Sequence, residues 1–280
     1  MEKAATDQSD FSAWIGRVEE APAEVLTPRL LDRFRASLAP HLAANGGVPA
    51  GIHWCLSPPA VDGAELGPDG HPAKGGFLPP VPLPRRMWAG GDITFLDPLR
   101  EGDAVTRTSR IEDVQTKTGR SGTLCFVAVQ HEFTTARGVA LRERQDIVYR
   151  AAATAPAPAA AADGRTGAEA EWAVKVDAVL LFRYSALTFN GHRIHYDEPY
   201  AREVEFYPGL VIHGPLQATL LLNLAISQGG SLPQRFTFRG ISPACGPQIL
   251  RARAWKTDGG FDLATETASG VTAMKATAIW

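Results

Sequence analysis

The run Gly214–Gln228 constrains the fold of this chain most. It reads GPLQATLLLNLAISQ, and Leu216, Ala218, Leu220, Leu221, Leu222, Leu224, Ala225 and Ile226 fall on nearly every side of a helix. A helix that is apolar all round has no face to offer water, so it must be buried. Pro215 stands in its first turn, where a missing N–H removes no hydrogen bond. Strand patterns follow at Gln234–Gly240, Gln248–Thr257, Phe261–Glu266 and Gly270–Trp280. Something in the fold has to wrap this helix, and those strands are the nearest material.

The clearest boundary is residues 151–170, AAATAPAPAAAADGRTGAEA. It has no aromatic and no large aliphatic residue, and alternating proline opposes a continuous helix. We read it as a semi-extended linker between an N-terminal unit, 1–150, and a C-terminal unit, 171–280. In the first unit Ser9–Glu20 and Thr27–Leu42 read as helices, the second with an N-cap threonine and Pro28 at its first position. Residues 43–91 are rich in Gly and Pro and read as loop, with one short strand near Ile52–Leu56. Strands then follow at Trp88–Phe95, Ala104–Gln115, Thr123–Thr134 and Ala140–Tyr149, with a turn at Lys117–Gly122. In the second unit Trp172–Val179 reads as a strand and Tyr196–Glu203 as a short helix or turn. A long antiparallel sheet around one buried helix is the hotdog architecture. Two such sets imply an α+β double hotdog.

Candidate chemistry concentrates in Phe182–Leu224. His195 follows the polar turn Asn190–Arg193 and titrates near neutral pH, which suits proton transfer. Asn190 cannot act as a base. It reads either as a turn former before Gly191 or as a group that orients a water. The free amides at Gly214 either simply start the buried helix or polarise a carbonyl oxygen. His213 is a cap, a packing residue or a substrate contact. His192 is a supporting partner or an exposed residue, and Asp197 and Glu198 read as solvated helix-start residues. His131 reads as packing, while His41, His53 and His71 have no neighbours in sequence that suggest a site. Arg85, Arg86 and Arg239 are solvated or meet a phosphate-bearing ligand. Walker, GxGxxG, HExxH and GxSxG patterns do not occur.

A net charge of −2 gives no footprint for nucleic acid or an anionic membrane. Cys55, Cys125 and Cys245 are scattered and odd in number, so we expect reduced thiols and no metal site. No stretch has the length of a membrane span, and the expectation is a soluble, cytoplasmic protein.

The segment Arg183–Pro199, RYSALTFNGHRIHYDEP, continuing through Tyr207–Pro215, YPGLVIHGP, resembles the MaoC-like (hydratase 2) dehydratases. The match is strong over these residues. It is weaker over Leu83–Arg150 and Phe236–Pro243, and the first half looks like a degenerate hotdog. The resemblance implies an acyl-CoA or acyl-pantetheine substrate, no separate cofactor, and a tunnel between two hotdog halves; because exposed sheet edges in hotdog units often pair, a homodimer is expected. In the wider family an Asp and a His five positions apart share the catalytic water. Here His195 falls on the His and Asn190 on the Asp, which loads the proton chemistry onto one imidazole. Gly214 falls on the glycine whose N–H is taken to bind the thioester carbonyl. His213, Arg239 and Arg86 are the expected substrate contacts. The activity implied is hydration or dehydration of an enoyl thioester, mesaconyl-C4-CoA, itaconyl-CoA or a 3-hydroxyacyl-CoA among them. A thioesterase and a non-catalytic acyl-thioester-binding subunit are the alternatives.

Overall fold

The computed structural model describes residues 11–44, 47–119, 122–157, 160–162 and 165–280. After a 3-10 turn at Ser12–Trp14 come β1 (Val18–Val25) and α1 (Pro28–Leu38), then a long loop holding the 3-10 turn Ile52–Cys55. Four long strands follow: β2 (Arg85–Phe95), β3 (Ala104–Gly119), β4 (Gly122–Thr135) and β5 (Gly138–Arg150). The second half runs β6 (Ala170–Val176), α2 (Ala178–Leu187), α3 (Glu198–Glu203), β7 (Leu210–Val211) and α4 (Gly214–Gly229). It ends with β8 (Arg235–Gly240), β9 (Cys245–Gly246), β10 (Gln248–Thr257), β11 (Gly260–Glu266) and β12 (Thr272–Ile279).

Ten of these strands form one sheet in the order β1-β3-β4-β5-β2-β8-β12-β11-β10-β6, antiparallel throughout. Strands before residue 151 fill one half and strands after 169 the other. The halves meet where β2 pairs β8, from Gly90 opposite Arg239 to Thr94 opposite Arg235. This is the double hotdog expected from the sequence.

Every residue of α4 from Leu216 to Ile226 is buried. The helix packs on β10, β11 and β12, and its leucines share one continuous core with Leu31, Phe34 and Leu38 of α1. Burial of a leucine of this kind contributes about 1.5–3 kcal/mol, so α4 is the main anchor of the second half. α1 has 11 residues against 16 in α4. It packs on α2 rather than along β3, β4 and β5, and the concave face of those strands lines a cleft.

Five readings change. The helix expected over Thr27–Leu42 ends at Leu38, because Ala39, ahead of Pro40, turns extended at ψ 143°. Ser12–Trp14 is a single 3-10 turn, and residues 18–20 join β1 because Val18–Glu20 pair with Arg110–Thr108; residues 9 and 10 lie outside the described residues. The expected strand near Ile52 is a 3-10 turn, entered through Gly51 at φ 91° where the loop presses on Thr219 of α4. Residues 178 and 179 belong to α2, capped by the Asp177 carboxylate, which accepts from Leu180 N–H at 3.0 Å. β3 extends to Gly119, so the hairpin turn is tighter than Lys117–Gly122; residues 120 and 121 lie outside the described residues. The cysteines are free thiols, and burial pushes Cys55 up to about 12. Among the described residues no helix is long and apolar enough to cross a membrane.

Candidate active site

The candidate turn, residues 188–195, begins where α2 ends. The Thr188 hydroxyl donates to Tyr184 O at 2.8 Å, Phe189 turns the chain through φ 49°, and Asn190 N–H donates to Ser185 O at 2.9 Å. Asn190 Oδ1 then accepts from His192 N–H at 3.0 Å. A backbone N–H can only donate, so the amide oxygen is committed to the turn and the NH2 group remains to donate elsewhere. Both expected roles of Asn190, turn former and orienter, fit this geometry together.

His195 closes the 3-10 turn Arg193–His195 and is buried. Its Nδ1 lies 2.7 Å from Val211 O. A carbonyl can only accept, so Nδ1 carries the hydrogen and Nε2 carries the lone pair. The ring stacks on His213 at 3.6 Å between centroids and 18° between planes. Burial is the main force holding the His195 imidazolium pKa well below 6.5. The neighbouring His213 and His192 push the same way, against the bond to Val211 O. His195 is therefore a neutral imidazole at physiological pH with its base position fixed.

His213 precedes α4 and donates or accepts through Nε2 with the Ser185 hydroxyl at 2.8 Å. Burial lowers its pKa to about 3. It works as a neutral spacer that packs His195 against α2, and it lines no part of the cleft. Gly214 does line the cleft. As the first residue of α4 its N–H has no intrahelical acceptor, and the helix dipole adds positive potential there. A Cβ at this position would lie 2.7 Å from Trp88 Cε3; glycine lets the indole and the backbone amide share one wall.

The family profile described as hydroxyacyl-thioester dehydratase type 2 matches residues 51–246. The chain is 40% identical over 273 residues to the mesaconyl-C(4)-CoA hydratase of Chloroflexus aurantiacus, covering 96% of this chain and 97% of that one. The chain belongs to the hydroxyacyl-thioester dehydratase type 2 family. Its identity to the mitochondrial hydroxyacyl-thioester dehydratase type 2 of Schizosaccharomyces pombe is 25% over 262 residues, covering 81% of this chain and 87% of that one. Solved structures share the fold. HtdX of Mycobacterium tuberculosis superposes with a TM-score of 0.67 at 20% identity, covering 93% of this chain and 98% of that chain. A MaoC-like dehydratase from Phytophthora capsici gives 0.69 at 13%, covering 95% of each. As a member of this family the chain is a hydro-lyase of acyl thioesters.

In this dehydratase the turn that carries Asn190 and His195 is braced from the first half. Arg193 N–H donates to Asp69 O at 2.9 Å. Gly70 and Gly191 approach so closely that a Cβ on Gly191 would lie 2.7 Å from Gly70 O. His71 meets Asp69 at 2.9 Å and packs on His192. His192 meets Glu205 Oε1 at 3.2 Å, and Arg85 Nε donates to Glu205 Oε2 at 2.9 Å. Asp69, His71 and His192 are the one group among the described residues with metal-ligand spacing, but these atoms already bond one another and Glu205. Asp197 caps α3 through Tyr200 N–H, and its carboxylate holds Arg193.

His195, Asn190, Gly214 and Arg86 all line the cleft. Arg239 does not: it alternates with the buried Phe236 and Phe238 and points to the exposed outer face of the sheet. The sequence reading missed Trp88, Ser185, Glu205 and the Asp69–His71 brace. Each gains its role from a contact more than ten residues away in sequence, and only the apolar strand around Trp88 carried a local signal.

Proposed function

We propose that this chain hydrates the Cα=Cβ bond of a short enoyl-CoA bearing a second carboxylate, mesaconyl-C4-CoA or a near relative, and catalyses the reverse dehydration. The fixed lone pair on His195 Nε2, beside the free amide of Gly214, carries this reading. The thioester oxygen accepts from Gly214 N–H. The Asn190 NH2 donates to a water and leaves its protons for the imidazole. His195 Nε2 takes one proton as the water oxygen bonds to Cβ, and the π electrons move to give an enolate on the thioester. The imidazolium then returns its proton to Cα, and the carbonyl re-forms. One base serves both steps, because Asn190 cannot serve as the second. A donor of the Gly214 kind is worth about 3 kcal/mol in the transition state, and general-base help about 10²–10⁴-fold.

The substrate class is supported by the Chloroflexus relative, similar over nearly its whole length. The cleft, about 2520 Å³, has room for a pantetheine arm, and Arg86 on its wall suits the CoA phosphates. The reaction needs only water and the thioester, with no further cofactor. Among the described residues β1 and β6 are the edge strands of the sheet, and such edges suit a homodimer, to be read by sedimentation.

The test is a panel of crotonyl-CoA, mesaconyl-C4-CoA and longer enoyl-CoAs, followed by loss of the conjugated absorbance. Wild type should consume at least one. His195→Ala should be slower by about 10²–10⁴-fold; near-normal rates in that variant would refute the assignment.

A further inference from the structure

The concave face of the first half-sheet carries a polar cluster that the hydration mechanism does not use. Ser109, His131 and Glu143 stand directly opposite one another across β3, β4 and β5. Ser109 Oγ lies 2.8 Å from His131 Nδ1. Arg107 is one step along the same face, and His53 comes from the 3-10 turn before it, with Nε2 3.6 Å from Glu143 Oε2. His53, Ser109, His131 and Glu143 are 2%, 2%, 8% and 0% exposed. Three of the buried polar atoms, His53 Nε2, Arg107 Nε and Glu143 Oε2, have no hydrogen-bond partner among the described residues. Such groups cost about 1–3 kcal/mol each when left unpaired. An acyl chain that ended in plain hydrocarbon would leave them so.

We propose that this cluster, centred on Arg107, is the pocket for a carboxylate carried on the acyl group of the substrate. The inference rests on the hydratase reading above and deepens it. The cluster and the reaction centre share one wall. Trp88 packs at Gly214, Trp54 meets Trp88 edge-on at 5.8 Å between centroids, and Trp54 Nε1 donates to Glu143 Oε1 at 2.8 Å. His53, Arg107, Ser109 and His131 line the same cleft as His195 and Gly214. Gly214, the two indoles and the cluster around Arg107 thus lie along one cleft, and an acyl group held by its thioester at Gly214 shares that cleft with Arg107. A guanidinium supplies the charge and the planar pair of donors that suit a carboxylate. Ser109, His131 and His53 add neutral hydrogen-bonding groups. Glu143 is compatible with an anion because burial pushes its carboxyl up to about 7, outweighing the donated bonds from Trp54 and Gln145. A second carboxylate nearby favours the protonated form, which can donate.

Two measurements test this. Calorimetry on the wild-type protein compares succinyl-CoA with butyryl-CoA, which differ in the terminal carboxylate. Succinyl-CoA should bind at least tenfold tighter; equal or weaker binding overturns the proposal. Kinetics then compare wild type with Arg107→Gln on mesaconyl-C4-CoA and crotonyl-CoA. The ratio of kcat/KM for the two substrates should fall at least tenfold, through KM; a ratio that stays constant overturns the proposal. Hydration of crotonyl-CoA with none of mesaconyl-C4-CoA sinks the carboxylate pocket and leaves the hydratase standing. Turnover of neither substrate sinks the short-chain reading proposed above, and the calorimetric comparison still decides the pocket. If Arg107→Gln does not fold, that same wild-type comparison decides.

Discussion

In the proposed mechanism one imidazole, His195, removes a proton from water and gives it back to carbon, and its surroundings determine the pH at which it can. Burial and two neighbouring histidines hold its pKa well below 6.5, so the neutral, basic form dominates above that pH. Both hydration and dehydration begin from neutral imidazole. The acid limb of kcat/KM should therefore lie well below pH 6.5, with a flat profile from about pH 6.5 to 8. A limb centred at or above 6.5 would contradict the buried, neutral assignment. Asn190→Asp gives a sharper version of the same argument. The new carboxylate keeps the acceptor for His192 N–H but puts a negative charge where the amide NH2 stood. A nearby anion favours the imidazolium, so the acid limb should move up toward neutrality. The rate should also fall, since the water loses its donor.

At the scale of elements, the site depends on a loop of the first half held against a turn of the second. Gly191→Ala would put a Cβ 2.7 Å from Gly70 O. The two backbones must then part, at a cost of about 1–3 kcal/mol, and the bond from Arg193 N–H to Asp69 O is lost with them. The expected result is a kcat reduced at least tenfold with a melting temperature lowered by only a few degrees, because the brace lies outside the main core. A full-rate variant would show that the brace does not position His195. These elements differ in how far the sequence revealed them. α4 was legible because its apolar residues surround the helix, a pattern that only burial explains. β10 was legible from its alternation. α2 was not: Ala178 and Val179 read as the end of a strand from Trp172, and the Asp177 cap that stops the strand is a single residue. The site itself divides the same way. The candidates His195, Asn190 and Gly214 stand in one segment, and the local pattern there was enough to single them out. His53 and His71 looked isolated because Glu143 and His192, which give them meaning, lie 90 and 121 positions further along the chain.

The whole molecule stores polar groups inside a cleft between two half-sheets, and its stability should carry their mark. Burial is the main force lowering His53, His131 and His213 to about 3. In the unfolded chain each titrates near 6.5. Below that pH the unfolded state binds protons that the folded state refuses, so stability falls as pH drops from 6.5 toward 3. Glu143 acts in the opposite sense. Its folded value of about 7, against 4.5 for the exposed group, makes the folded state take up a proton between pH 7 and 4.5. That uptake stabilises the protein on acidification and offsets one histidine. His195 and His71 are lowered in the same sense as the other three. Each unopposed group is worth up to about 1.4 kcal/mol per pH unit, so the remaining four leave a net loss of up to about 5 kcal/mol per unit between pH 6 and 5. The melting temperature should be level from pH 7.5 to 8.5 and fall steeply below 6. Glu143→Gln removes the offset, so its melting temperature should fall more steeply with acid than the wild type's. His131→Asn removes one proton refusal and should make the fall shallower. Parallel curves for the three proteins would mean that the cluster on the first half-sheet does not govern the acid stability of the fold.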